Sequence, residues 1–218
     1  LNTDTKESSI IAGAEIVKKA HNLAIHGKDI FLMNDDGVIQ IDSKSKSSKV
    51  VITKDSAWGE IAAIATYGGN IYLLDRGKNR IWKYIAIDTG FSDRITYLNP
   101  GVQVNFSDAQ SIMIDGSVWV LFSDSISKYT HGINDQFVIS GFSETFSGLT
   151  SFSSDESDKY LYVLDKALSR IVVFDKGGVY QSQYQWDELK NASDIVAIEA
   201  DKKIFVSIGS KIYAIDIK

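Results

Sequence analysis

Ile71-Tyr72-Leu73 is one of five aliphatic–aromatic–aliphatic triplets in this chain. The others are Ile30-Phe31-Leu32, Val118-Trp119-Val120, Leu161-Tyr162-Val163 and Ile204-Phe205-Val206. Their central aromatics stand 41, 47, 43 and 43 residues apart. Short apolar strands recurring every forty-odd residues are the mark of β-propeller blades.

Working outward from each triplet, a second apolar segment begins 7, 9, 7, 9 and 7 residues after the aromatic, at Val38, Ile81, Ile126, Ile171 and Ile212. That separation closes a hairpin, and Asn34-Asp35-Asp36-Gly37 supplies residues that tolerate a tight turn. A further short strand precedes each triplet: Leu23–Ile25, Ile61–Ala65, Ile112–Ile114, Leu149–Phe152 and Ile195–Ile198. Outer strands are expected at Lys49–Ile52, Arg94–Leu98, Gln136–Ser140 and Val179–Gln185. The triplets are apolar throughout instead of alternating, as befits strands covered on both faces by neighbouring blades.

The expected fold is therefore all-β: a five-bladed propeller of four-stranded antiparallel blades forming one domain over residues 1–218. Its blades span residues 20–52, 60–98, 109–140, 148–185 and 194–217. The chain ends with no residues for a fourth strand in the last blade, so residues 8–13 are expected to complete it. Ser9-Ile10-Ile11-Ala12-Gly13 matches Phe137-Val138-Ile139-Ser140-Gly141 in pattern. A competing assignment makes Ala14–Ala24 a short amphipathic helix, since Ile16, Val17, Ala20 and Leu23 also suit helical spacing.

Composition narrows the function classes. The chain has no cysteine, which removes disulfides, zinc–thiolate sites and thiol nucleophiles. Its net charge of −5 is the opposite of what a nucleic-acid backbone demands. No apolar run approaches the ~18 residues of a membrane-spanning helix. Leu1–Ser9 lacks the charged-then-apolar layout of a signal peptide, and a start at Leu1 leads to the expectation of a removed upstream segment, the chain being part of a longer one. A monomer is expected. The lack of thiols fits an exported protein and a cytoplasmic one alike, with an extracytoplasmic location slightly favoured.

Blades two and four share a longer pattern. Tyr72-Leu73-Leu74-Asp75-Arg76-Gly77-Lys78-Asn79-Arg80-Ile81 precedes Tyr162-Val163-Leu164-Asp165-Lys166-Ala167-Leu168-Ser169-Arg170-Ile171 by 90 residues. Both stretches resemble the NHL-type propeller repeat, in which a strand ending in Asp is followed by a loop, an Arg and a second strand. The other three blades share only the hydrophobic pattern. The resemblance implies a propeller and is nearly silent on function. Because Asp75/Arg80 and Asp165/Arg170 recur at one place in the repeat, both are read as ion pairs bracing turns.

Other candidates for chemistry fare poorly. His21, His26 and His131 share no ligand spacing. Asn34-Asp35-Asp36-Gly37 lacks the downstream ligands of a calcium loop, and Asp155-Glu156-Ser157-Asp158 reads as a solvated loop. Propeller enzymes similar in fold, lactonases and amidating lyases, hold a metal in the central channel. The residues entering the inner strands here, Asn22, Glu60, Ser111, Gly148 and Asp194, are sparse in ligands. No metal, cofactor or catalytic residue is assigned.

Four aromatics, Trp58, Phe106, Phe146 and Trp186, sit in the connections between blades, on a face propellers use for binding. They are the candidate ligand-binding residues, as a ring of rigid contact surfaces. In the competing and preferred placement they fold down to cap the grooves between blades. The expectation is a non-enzymatic recognition, sensor or scaffold module for a protein, peptide or glycan, with no nucleic-acid partner and no membrane insertion. The alternative is a hydrolase or lyase working at the channel mouth.

Overall fold

The computed structural model describes residues 20–218. Five antiparallel sheets follow one another along the chain. Blade 1 holds β1 (Asn22–His26), β2 (Asp29–Asn34), β3 (Gly37–Asp42) and β4 (Ser48–Thr53). Blade 2 holds β5 (Ile61–Tyr67), β6 (Asn70–Asp75) and β7 (Arg80–Tyr84), then a small hairpin of β8 (Ala86–Ile87) and β9 (Gly90–Phe91), and an outer β10 (Ile95–Thr96). Blade 3 is β11 (Ala109–Ile114), β12 (Val118–Phe122), β13 (Ile126–Thr130) and β14 (Ile133–Asn134). Blade 4 is β15 (Leu149–Ser153), β16 (Tyr160–Asp165), β17 (Arg170–Asp175) and β18 (Tyr180–Gln185). Among the described residues blade 5 has three strands, β19 (Ala192–Ile198), β20 (Lys203–Ile208) and β21 (Lys211–Asp216). This is a five-bladed β-propeller.

The triplets are the second strands, and their alternation explains why no position is polar. Ile71, Val118, Leu161 and Ile204 each face the preceding blade, while Phe31, Tyr72, Trp119 and Tyr162 each face the following one. A two-residue period with an apolar partner on both sides needs apolar residues at every step. Four interblade cores result, one for each successive pair of blades.

At the first hairpin Asn34 Oδ1 accepts the Asp36 N–H at 2.9 Å, closing the turn from within. Gly37, at φ +130°, is required there, because a Cβ would sit 2.1 Å from the Ile52 carbonyl oxygen.

The expected outer strand Gln136–Ser140 is not the fourth strand of blade 3. The chain turns at once through His131 and Gly132, both at positive φ, and returns as the two-residue β14. Gln136 then takes φ +56°, which breaks the extended conformation. The following residues leave the blade 3 sheet for the groove between blades 3 and 4. Ser140 pairs in parallel with Val179 of blade 4, and Phe137, Ile139 and Phe142 join the core between blades 3 and 4. Phe137–Gly141 is thus no template for an outer strand. Residues 8–13, likened to it, lie outside the described residues, as does most of the rival helix; its last residues, Asn22–Ala24, belong to strand β1.

Candidate functional site

The inner strands β1, β5, β11, β15 and β19 enclose a cavity of about 450 Å³, to which every blade contributes. Its polar lining is mostly neutral: Asn22, Gln110, Ser111, Ser151, Ser153 and Ser193, with His21 at one edge and Asp194 as the single carboxylate. Several of these groups already join neighbouring blades. Ser151 Oγ donates to Asp194 Oδ1, which also accepts the Ile195 N–H at 2.9 Å. Ser153 Oγ accepts the Ala197 N–H at 2.9 Å. On the other side of the ring Thr66 donates to the Ile25 carbonyl at 2.8 Å. Small hydroxyls suit this position because inner strands converge there, leaving little room for larger side chains.

Of the residues entering the inner strands, Asn22, Ser111 and Asp194 reach this cavity. Glu60 points away and pairs with Arg76 at 3.4 Å on the surface. Gly148 sits tightly against Ala167, where a Cβ would lie 2.8 Å from the alanine's own.

The interblade aromatics occupy a different place. The indole of Trp58 meets Tyr84 edge to face at 6.3 Å, and its Nε1–H donates to the Tyr84 hydroxyl at 2.8 Å. Phe106 meets Tyr129 in the same way at 6.2 Å, Phe146 meets Phe174 at 6.0 Å, and Trp186 meets Tyr213 at 5.1 Å. Each connection thus lays its ring on the third strand of the blade it enters. Trp58 and Phe106 are buried, Phe106 completely, so their rings belong to the interblade cores. Phe146 and Trp186 are half-buried and keep an exposed edge. The four do not form one common platform. Burial pushes the Tyr84 hydroxyl up to about 12.

A second cavity, of about 490 Å³, opens at the rim between blades 1 and 2. Asp55, Asp93, Arg94, Ser92, Tyr84 and Phe91 line it. Arg94 pairs with Asp55 and lies over the Trp82 ring at 5.5 Å. This groove was not foreseen, since its residues come from two blades and from the edge of the β8–β9 hairpin, which no periodicity signals.

The two Asp/Arg motifs diverge. Asp165 and Arg170 form a buried pair, and Arg170 also bonds Glu144 and the Thr145 carbonyl. Arg80, by contrast, is exposed and donates to the Asn79 carbonyl at 3.2 Å. Asp75 is satisfied without it, accepting from Gly59 N–H and Trp82 Nε1–H at 2.8 Å each and from Lys78 N–H at 3.0 Å. The reason is one residue: Trp82 supplies an indole donor where blade 4 has Val172, so only in blade 4 must the arginine turn inward.

Among the described residues no three His, Cys, Asp or Glu side chains come together as a metal site, and no helix is long and apolar enough to cross a membrane. No family model matches the chain, and no curated protein matches it in sequence. Solved structures do match in fold. A chain of the nidogen/laminin complex aligns with a TM-score of 0.66 and 14% identity, covering 91% of this chain and 76% of that one. PorZ, a component of the type-IX secretion system of Porphyromonas gingivalis, aligns with a TM-score of 0.61 and 11% identity. That match covers 92% of this chain but only 25% of PorZ. Streptogramin B lyase aligns with a TM-score of 0.57 and 15% identity, covering 91% and 69%. At such identities the likeness concerns the fold.

Proposed function

We propose that this chain is a non-enzymatic recognition propeller of the NHL type that holds a peptide, protein segment or glycan at the inner-strand cavity. One observation carries the reading: the polar part of the cavity wall is mostly hydroxyl and amide side chains, beside His21 and one carboxylate that already accepts two hydrogen bonds. Groups that both donate and accept suit the neutral polar surface of a glycan or a peptide backbone. A general acid–base pair would have to be drawn from Asp194, the single carboxylate of this lining, and His21. The fold likeness to a chain of the nidogen/laminin complex accords with protein recognition. The likeness to streptogramin B lyase keeps the hydrolase or lyase reading as the rival.

The test is to probe the full chain on an immobilised glycan array and on an array of extended synthetic peptides, alongside Ser111→Tyr, which fills the cavity. The reading expects ligands whose binding falls at least about tenfold in the variant, a loss near 1.4 kcal/mol. Binding that survives Ser111→Tyr, or none on either array, would overturn it.

A further inference from the structure

Asp194 is the one carboxylate in the inner-strand cavity, and no lysine or arginine lines that cavity with it. Among the described residues it forms no ion pair. Its Oδ1 is committed, accepting from the Ser151 hydroxyl and the Ile195 N–H. Oδ2 takes no partner among the described residues, in a cavity of about 450 Å³. A charge without a counter-charge, set among low-dielectric walls, draws a cation.

The same strand places an apolar surface beside the charge. Asp194 and Val196 stand two residues apart on β19, so their side chains leave it on one side, roughly 7 Å apart. Ile195 and Ala197 turn the other way, into the core shared with blade 4. Val196 is 50% exposed and Leu23 of blade 1 is 56% exposed. Both line the cavity, as does Met113 of blade 3, and such surfaces gain from contact with hydrocarbon.

Two neutral groups of the wall are left as acceptors. Ser193 Oγ donates to the Ser207 carbonyl at 3.2 Å, and Gln110 Nε2 donates to the Asp108 carbonyl at 2.8 Å, which leaves the glutamine Oε1 to accept. An ammonium carries three donors and no acceptor, the complement of one charged oxygen and two neutral ones.

We propose that the cavity takes a lysine side chain from a partner segment, its ammonium on Asp194 Oδ2 and its methylenes along Val196, Leu23 and Met113. This occupant presupposes the recognition reading of the cavity and names the residue that the recognised segment presents. Lysine suits the site better than arginine. A guanidinium fork pairs best with both oxygens of a carboxylate, and here two donors already fill one of them. An ammonium is a compact charge that needs a single oxygen, and its four-carbon stem reaches from Asp194 to Val196.

The experiment titrates the full chain with Nα-acetyl-lysine amide and with the corresponding norleucine and arginine amides, read at the methyl NMR signals of Leu23, Met113 and Val196. The lysine amide should bind about tenfold tighter than norleucine amide, which has the stem without the charge. It should also bind tighter than the arginine amide. Asp194→Asn keeps an oxygen for Ser151 and Ile195, and should bring the lysine amide down to the norleucine one. Val196→Ala should weaken both. If Asp194→Asn does not fold, the wild type at rising salt decides: the lysine preference should shrink as ions screen the pair, and a salt-independent preference would overturn the proposal. So would equal binding of the lysine and norleucine amides, or a lysine preference that survives Asp194→Asn. If the lysine amide fails while a glycan or uncharged peptide binds and is lost in Ser111→Tyr, lysine is overturned and the recognition reading stands. If none of these ligands binds, both fall.

Discussion

Arg170 donates from Nε and Nη2 to the same carboxylate oxygen of Asp165, at 3.1 and 3.0 Å, with both side chains withdrawn from solvent. The other oxygen, Oδ1, has no partner, so the carboxylate depends on this one arginine. Removing one member of a buried pair strands the other charge, at a cost of about 3–5 kcal/mol. Arg170→Ala should therefore lower the melting temperature strongly. Arg80→Ala, at the corresponding place in blade 2, should leave it unchanged in the same calorimetric scan, because Asp75 keeps its three donors.

Trp58→Phe keeps the aromatic ring but deletes the indole donor to Tyr84, and should cost about 1 kcal/mol. Alkali offers a second view of the same pair. Tyr84 titrates near 12 in the folded chain against an ordinary 10.0. Its contribution is whole below pH 10 and is lost as pH rises toward 12, because the unfolded chain releases that proton first. The fall in melting temperature over that window should be shallower in Tyr84→Phe.

Acid should act through Asp108. The Ser123 hydroxyl donates to its Oδ2, and hydrogen bonding to Ser123 holds the carboxyl below its usual 3.8. A depressed carboxyl stabilises the fold above the unfolded value and ceases to do so as pH falls through the folded one. Ser123→Ala should thus melt lower than wild type at pH 6, with the gap narrowing as the pH is taken below 3.8.

Phe106, fully buried against Tyr129 and Phe122, should be the costliest of the interblade rings to truncate. Phe106→Ala is expected to cost about 3–5 kcal/mol. Phe146→Ala should cost clearly less, since that ring keeps an exposed edge. Urea titration of both variants checks the order.

The triplet spacing, the hairpins and the burial of the second strands on both faces were legible in the sequence alone. They rest on local periodicity: a strand covered on two sides must be apolar at each step, whichever neighbours do the covering. Tertiary structure alone decided which partners each side chain found. Asp75 and Asp165 stand in the same motif, yet Trp82, two residues beyond Arg80, frees one arginine while Val172 commits the other. Phe137–Gly141 alternates like an outer strand, but the left-handed turn at Gln136 sends it to blade 4. The polar cavity was legible only in part, through Asn22, Ser111 and Asp194, because its wall is assembled from inner strands some forty residues apart. The exposure of the inner strand of blade 5 was hidden altogether. Val196 and Phe205 look in sequence like Ala65 and Tyr72, whose faces are covered. Exposure is set by whether a neighbouring blade arrives, and that is a property of the ring.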